Sequence, residues 1–172
     1  MRIQFMWLAL ALSACAASST MSLTPADAAT GLIVGERITM TRQASPTTGG
    51  EDPLVLFTLA HADGRSMRFE EANHAPDHLR AQGAGGPLAQ VMGLFGEERP
   101  TLLIARDHQG APFMCGTDGP VAIGLYEDSA SGTVRIVGLR QEFQFEHRPD
   151  GTQRALPYSP DQVCARLAFR KG

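Results

Sequence analysis

The sequence predicts a mainly β domain, either an antiparallel sandwich or a small open barrel with one or two short helices; an α+β fold is the alternative. Three observations favour this class. Several short segments have the length and the apolar or alternating pattern of strands. Turn sequences such as Asp-Gly and Pro-Asp-Gly separate some of them. One segment has a clear helical period. This set of elements is typical of sandwiches and barrels.

The first half of the globular region supplies a strand and a hairpin. Residues 32–41 contain spaced apolar positions and predict the first strand. Residues 54–59 are a continuous apolar run, which predicts a strand buried on both faces. The turn sequence Asp63-Gly64 leads into residues 65–71, where apolar and polar side chains alternate. We therefore expect a hairpin between the second and third strands.

A short helix is predicted after this hairpin. Four apolar side chains recur at helical spacing and form one face: Leu88, Val91, Met92 and Phe95. Pro87 suits the first helical position, and Gly96 suits the end of the helix. Because Gly93 weakens the helix, we expect packing against the sheet to hold it in place.

The second half of the chain predicts further strands. Residues 101–106 and 120–126 are buried strands, and residues 133–146 give the longest strand signal. The apolar positions of this long segment change phase just before Gly138, and a one-residue bulge would keep them on one face. From Ser159, a capping-box sequence predicts one helical turn, followed by an alternating edge strand.

The amino terminus has the features of a bacterial export signal. Arg2 precedes an apolar run over residues 3–14, which is too short to span a bilayer because a spanning helix needs about 20 residues. The run ends at Leu12-Ser-Ala-Cys15, which resembles the lipobox of bacterial lipoproteins. The resemblance implies diacylglycerol on the Cys15 thiol, cleavage before Cys15 and acylation of the new amino terminus. With Ala16 at the next position, it also implies export to the Gram-negative outer membrane.

The signal predicts the organisation of the whole chain. We expect a signal peptide over residues 1–14, a lipid-anchored flexible tether rich in Ala, Ser and Thr over residues 15–30, and one β-rich domain over residues 31–172. The alternative is cleavage near Ala28, after the small-residue sequence Ala26-Asp27-Ala28. That cleavage would discard Cys15 and leave a soluble periplasmic or secreted protein.

Charge restricts the classes of partner. The chain of 172 residues has a formal net charge of −3 and no basic stripe, so nucleic acid is not expected to bind. The expected partners are the lipid bilayer, through acylated Cys15, and an envelope protein. No cofactor is expected.

The two remaining cysteines predict a disulfide. If Cys15 carries lipid, Cys115 and Cys164 are left as a pair in an oxidising compartment. Closing a loop of about 50 residues would stabilise the fold by about 4 kcal/mol on the chain-entropy model. The alternative is a reactive Cys115 thiol activated by His108, which the available second cysteine disfavours.

Two polar segments are candidate ligand sites, but for each of them an ordinary loop is the favoured interpretation. The first could bind zinc through closely spaced acidic and histidine side chains: Glu70, Glu71, His74, Asp77 and His78. No known ligand spacing is met, so a solvated loop is favoured and no metal is expected. Residues 83–86, rich in glycine before Pro87, could bind an anion at the helix start, but a flexible loop is favoured.

Catalytic signatures are missing from the sequence. No Gly-x-Ser-x-Gly or Ser-x-x-Lys pattern is present. The acidic pairs are adjacent in sequence, and neighbouring side chains on a strand point to opposite faces. Carboxylates that are distant in sequence could still form an acid–base pair.

The sequence thus favours a non-catalytic outer-membrane lipoprotein that faces the periplasm and acts as a binding or scaffold module. The first alternative is a carrier of small molecules or lipid, with a barrel cavity lined by Phe143, Phe145 and Leu56. For the two phenylalanines, ordinary core packing is the favoured interpretation. The second alternative is a periplasmic enzyme that uses Cys115 with His108, or distant carboxylates.

Overall fold

The computed structural model describes residues 17–45, 53–72, 83–142 and 144–172. Ten strands are found in this part of the chain: β1 (Ala17–Pro25), β2 (Ile38–Ser45), β3 (Leu54–His61), β4 (Ser66–Glu71), β5 (Thr101–Gln109), β6 (Ala122–Asp128), β7 (Thr133–Leu139), β8 (Phe145–His147), β9 (Gln153–Ala155) and β10 (Val163–Lys171). The helical elements are α1 (Ala28–Val34), α2 (Pro87–Val91) and a 3-10 turn (Pro160–Gln162).

Eight of these strands close into an antiparallel barrel. Strands β1 to β7 follow one another around the wall, and β10 closes it by pairing with both β7 and β1. Strands β8 and β9 form a separate hairpin. The mainly β class is confirmed, and the barrel is closed rather than open because β1 pairs with β10, with Leu23 opposite Lys171 and Pro25 opposite Phe169.

The predicted flexible tether over residues 15–30 is wrong from Ala17 onward. Strand β1 pairs along its length with β2, from Ala17 opposite Ala44 to Leu23 opposite Ile38, and Leu23 is fully buried. The small polar composition misled the prediction, because the first four residues of β1 are exposed and Leu23 is its only fully buried residue. The folded barrel therefore includes β1, which lies before the predicted domain start at residue 31.

Helix α1 replaces the start of the predicted first strand. The carboxylate of Asp27 accepts a hydrogen bond of 2.7 Å from the Thr30 amide and caps the helix. Gly35 ends it with a left-handed φ of 69°, as glycine often does after a helix. The strand predicted over residues 32–41 therefore begins only at Ile38.

Two apolar clusters lie on the two faces of the barrel wall. The interior is filled by the larger one, which includes Leu59, Phe69, Ile123, Ile136 and Phe169. The second covers the outer face of β5, β6 and β7 beneath α2, and includes Leu88, Met92, Leu102, Val137 and Leu139. A Cβ added at Gly124 would lie 2.6 Å from Leu88 Cδ1, so glycine lets α2 approach the wall.

These two clusters explain the phase change in β7 without a bulge. Val134 and Ile136 belong to the interior cluster, whereas Val137 and Leu139 belong to the outer cluster. The predicted bulge before Gly138 is therefore wrong, since both faces of this strand are buried. The register shift lies on β10, at Cys164. The strand predicted over residues 133–146 ends at Leu139.

The predicted hairpin is confirmed, and so are the helical turn and the strand predicted at the carboxyl terminus, except that this strand is not at an edge. The turn at Asp63-Gly64 joins β3 to β4, and Gly64 has a φ of 92°. The 3-10 turn follows Ser159, whose amide donates to Gln162 Oε1 at 2.7 Å. Strand β10 follows as predicted but is not an edge strand, because it pairs on both sides.

Helix α2 is shorter than its apolar pattern suggested. It ends at Val91, and Met92 serves as its C-cap. Phe95 was expected on the buried face of the helix, but 83 % of its side chain is exposed. The chain has already left the helix there, since the left-handed Gly93 turns it away.

The two ends of the barrel differ in what they carry. The N-terminal end is the one where β1 begins at Ala17, beside Ser45 and Leu54. The opposite end carries α1 and the connection from β5 to β6, residues 110–121. We call this connection the latched loop and this end the latched end, because a disulfide holds the loop to β10.

Candidate functional site at the latched end

The predicted disulfide is confirmed. Cys115 in the latched loop bonds to Cys164 with an S–S distance of 2.03 Å and a Cα–Cα distance of 5.0 Å. Gly138 provides the room for it, because an added Cβ would lie 2.5 Å from Cys115 Sγ and 3.3 Å from Cys164 Sγ. Cys164 itself is the additional residue of the β10 bulge. Two strands, β7 and β10, and the latched loop are therefore shaped around this bond.

The latched loop also contributes side chains to the barrel core. Phe113 and Met114 are buried and pack with the interior cluster. The ring centroid of Phe113 lies 5.7 Å from that of His61 in a tilted arrangement. We call Phe113 and Met114 the plug, since they close the interior at the latched end.

An apolar groove of about 460 Å³ lies between α1 and the latched loop. It is lined by the plug, both disulfide cysteines and mostly uncharged neighbours that include Ile33, Ala111 and Thr117. The single charged lining residue is Arg65, whose Nε lies 2.7 Å from Asp63 Oδ2. The Arg65 amide donates to the Asp63 carboxylate and lowers the pKa of that carboxyl. An occupant of the groove would thus meet a mostly apolar surface whose single charged side chain is already paired.

The outer face of α1 extends this apolar surface. Leu32 is 90 % exposed and Ile33 is 40 % exposed, although leucine and isoleucine are among the residues most often buried. The sequence reasoning missed this surface because it assigned residue 32 onward to a strand. The signals that could have revealed the helix are Asp27 as N-cap and Gly35 as the C-terminal stop.

A smaller notch of about 180 Å³ lies on the other side of the latched loop. Its apolar floor includes Met67 and Phe69, and the loop supplies Pro112 and Asp118. Two ion pairs stand at its rim, between Arg106 and Glu70 at 2.7 Å and between Arg68 and Asp107 at 3.1 Å. The bulge of β5, which leaves Arg106 without a direct partner on β4, shapes this side of the wall.

The proposed nucleophile pair of Cys115 and His108 does not form. The Cys115 sulfur is bonded to Cys164 and is not a thiol. His108 donates from Nδ1 to the Gly110 carbonyl at 2.7 Å. The hypothesis of a reactive thiol is therefore wrong for the oxidised protein.

Several carboxylates serve as structural hydrogen-bond acceptors. Glu70 pairs with Arg106, Glu127 lies 2.8 Å from Lys171 Nζ, and Glu98 accepts from Tyr126 Oη at 2.9 Å. Hydrogen bonds from a neighbouring amide or hydroxyl lower the pKa of four turn or cap carboxyls, which are Asp63, Asp128, Asp150 and Asp161. A general acid needs a raised pKa, so these four do not suit that role.

The cavity lining predicted for a carrier is not assembled. Leu56 alternates with the inward-facing Val55 and Phe57 and therefore points outward. Phe145 lies in the β8–β9 hairpin outside the barrel, and Phe143 is outside the described residues. The barrel interior is occupied by the core side chains instead.

The other candidate residues predicted for lipid, metal or anion binding do not form a site in the described part of the chain. Cys15, His74, Asp77 and His78 lie outside the described residues. In the described ranges no three metal-ligating side chains converge. The glycine-rich residues 83–86 form a turn before α2. The Gly86 amide donates a hydrogen bond to the Gly83 carbonyl at 2.9 Å, and Gln90 Nε2 donates one to the Gly85 carbonyl at 2.9 Å.

Two tyrosines near α2 have opposite hydrogen-bonding states. Tyr126 donates to Glu98, whereas the buried hydroxyl of Tyr158 has no hydrogen-bond partner in the described part of the chain. Burial raises the pKa of Tyr158, with the nearby Glu142 carboxylate adding to the shift. The Glu98 carboxylate likewise raises the pKa of Tyr126.

We expect Tyr158→Phe to stabilise the protein by about 1 kcal/mol, because it removes an unsatisfied buried hydroxyl. Tyr126→Phe should instead cost about 1 kcal/mol by removing a hydrogen bond. Above pH about 10 the unfolded tyrosine ionises but buried Tyr158 stays neutral, so wild-type stability falls and the advantage of Tyr158→Phe grows. Urea unfolding of the wild type and of Tyr158→Phe at pH 8 and pH 10.5 tests this, and equal losses of stability for these two proteins would contradict it.

The fold and this site define a small closed antiparallel barrel, one end of which is covered by a disulfide-held loop beside an exposed apolar helix. Comparison of the chain with protein-family models, curated proteins and solved structures gives no match. Neither helix in the described ranges has the length or apolar character needed to cross a membrane.

Proposed function

We propose that the protein is a non-catalytic lipoprotein of the outer membrane, anchored through acylated Cys15 on the periplasmic face, and that it docks an envelope protein in the groove at its latched end. The observation that carries the proposal is the placement of β1. The strand begins at Ala17, directly after the lipobox sequence, and it belongs to the barrel wall.

The position of β1 favours the lipobox over the alternative cleavage site. Cleavage near Ala28 would remove the whole of β1, including the buried Leu23 and the helix cap Asp27. Cleavage before Cys15 keeps every strand of the barrel. The disulfide is consistent with the same route, because such bonds form in oxidising compartments such as the periplasm.

The same geometry orients the barrel relative to the anchor. A single residue, Ala16, lies between Cys15 and β1, and one residue spans about 3.5 Å at most. The N-terminal end of the barrel would therefore lie against the bilayer. The latched end, which carries Leu32, Ile33 and the groove, would point away from it.

This orientation selects the occupant of the groove. In this orientation the bilayer would lie at the opposite end, so lipid is disfavoured as the occupant. Two copies anchored in one leaflet would both point their latched ends away from the membrane, so these ends would not face each other. An envelope protein that offers an uncharged apolar side chain fits the groove, whose lining is uncharged apart from the paired Arg65.

The anchor is tested by the intact mass of the protein from the membrane fraction, with and without reductant. We expect a start at Cys15 with added acyl mass and a gain of about two mass units on reduction, since two hydrogens are added. A start near Ala29 without lipid would contradict the anchor and the orientation derived from it.

The docking surface is tested by photo-crosslinking in cells from a probe at Thr117, which lines the groove. We expect one heterologous envelope protein to crosslink, and the double change Leu32→Ser and Ile33→Ser to lower the yield about tenfold or more. Burial of such anchors is worth about 2 kcal/mol in a typical interface. Because both side chains are exposed, the variant should fold normally.

The matched control is Phe95→Ser, which removes another exposed apolar side chain away from the groove. It should leave the crosslink unchanged. A product of twice the protein's own mass, a product with lipid alone, or equal loss with both variants would contradict the proposed docking site.

A further inference from the structure

The disulfide is part of the groove surface. Both Cys115 and Cys164 line the groove, and both residues are only partly buried. A molecule seated in the groove therefore contacts the sulfur atoms or their immediate neighbours. The two residues that carry the bond therefore lie at the surface of the groove and not in the closed interior of the barrel.

The latched loop has few other connections to the barrel. In the described chain its backbone makes one internal bond, from Gly119 to Gly116, and two at its end, where Val121 bonds with Ala105 and Leu139. At its start the Gly110 carbonyl accepts a bond from the His108 side chain. In the described part of the chain, residues 111–118 form no other backbone–backbone hydrogen bonds. The disulfide and the buried plug, Phe113 and Met114, therefore hold the loop in place.

The barrel wall does not depend on this bond in the same way. The pairing of β7 with β10 continues from Ala165 opposite Gly138 to Arg170 opposite Thr133. Both strands have a second paired neighbour, β6 and β1 respectively. Opening the disulfide would thus loosen the loop, which then depends on the plug alone, and would leave the ladders in place.

We propose that Cys115–Cys164 is a thiol–disulfide exchange site, whose substrate class is a dithiol reductant of the envelope that reaches the sulfurs through the groove. The inference rests on the proposed function, since the exchange site and the docking groove are the same surface. Its consequence is regulatory, because reduction frees the latched loop and reshapes the groove.

The exchange proceeds in two balanced steps. A thiolate of the dithiol attacks one cysteine sulfur, forms a mixed disulfide with it and expels the other cysteine as a thiolate, which takes up a proton. The second thiol of the reductant then attacks the mixed disulfide and releases the first cysteine. The reductant leaves as a disulfide, and Cys115 and Cys164 are both thiols.

The test is the rate at which dithiothreitol reduces the folded mature protein at 0 and 1 M urea, followed by alkylation and mass. Exchange in the folded state should give a rate that changes less than about twofold. Reduction that requires global unfolding should accelerate about fivefold or more per molar urea, because the rate then follows the unfolding equilibrium. That second result would overturn the proposal.

A pair of tryptophan variants locates the route. Thr117→Trp narrows the groove and should slow the reduction about fivefold or more. Gln43→Trp places the same side chain on an exposed position of β2, toward the N-terminal end, and should leave the rate unchanged. If both variants and the wild type are reduced at equal rates, the proposal that the reductant reaches the disulfide through the groove is overturned.

Loop release is read by limited chymotrypsin digestion and circular dichroism. We expect cleavage after Phe113 only in the reduced protein, with the β-sheet spectrum retained. Loss of the β spectrum on reduction would show that the disulfide holds the whole barrel, and continued protection of Phe113 would show that the loop is not released. Either result overturns the switch. These readouts require neither partner nor lipid, so they can fail while the docking test succeeds.

Discussion

A chain that begins at Ala29 is expected not to fold, whereas a chain that begins at Ala16 should form the stable barrel. The shorter chain lacks β1, so β2 and β10 are left with open edges. It also lacks the fully buried Leu23, and burial of one leucine contributes about 1.5–3 kcal/mol. With the lost ladder bonds and the Asp27 cap, the deficit approaches the 5–15 kcal/mol of a typical domain.

Circular dichroism and urea unfolding of the two purified chains measure this difference. The chain from Ala16 should unfold in one cooperative transition, and the chain from Ala29 should show no transition or should aggregate through its open edges. Similar midpoints for both chains would show that β1 is dispensable. Cleavage near Ala28 would then regain its place as an equal alternative.

Gly138→Ala should cost about 3 kcal/mol or more, with a fraction of the chains failing to form the disulfide. The added methyl group would meet Cys115 Sγ at 2.5 Å and Ala165 Cβ at 3.2 Å. Overpacking of this kind costs about 1–3 kcal/mol, and a strained or missing disulfide adds to that cost. Urea unfolding together with a count of free thiols measures both effects.

A double-mutant cycle separates the disulfide from general crowding. In a Cys115→Ser, Cys164→Ser background the loop can move away, so Gly138→Ala should cost at least about 1 kcal/mol less than in the wild type. Gly31→Ala is the control. Gly31 lies in α1, where an added Cβ meets only Pro25 Cβ at 3.9 Å, so alanine should stabilise by about 0.5–1 kcal/mol. Full additivity in the cycle would contradict the role of Gly138.

Several elements were predictable because their signals are local. The hairpin of β3 and β4 follows from an apolar run before Asp63-Gly64 and alternation after it, and the 3-10 turn follows from the capping box at Ser159. The disulfide followed from the number of cysteines and the expected compartment. In each case the signal that predicts the element lies within a few neighbouring residues or in the composition of the chain.

The errors arose where distant parts of the chain decide the outcome. The segment that became β1 has the composition of a tether, but pairing with β2 along most of its length makes it a strand, and pairing of its last residues with β10 closes the barrel. The apolar phase change in β7 indicated a bulge, but α2 covers the outer face and allows both faces to be buried. Leu32 was assigned to a strand because the local helix signals at Asp27 and Gly35 were missed, but its exposure depends on which elements pack against α1.

The sequence by itself determined the mainly β class, the pairing of the cysteines and the resemblance to a lipoprotein signal, because each depends on composition or on neighbouring residues. The tertiary structure alone decided the closure of the barrel by β1, the need for glycine at residue 138 and the groove between α1 and the latched loop. These features depend on contacts between residues that are far apart in sequence, and the free energy of such contacts is fixed only when the chain is folded.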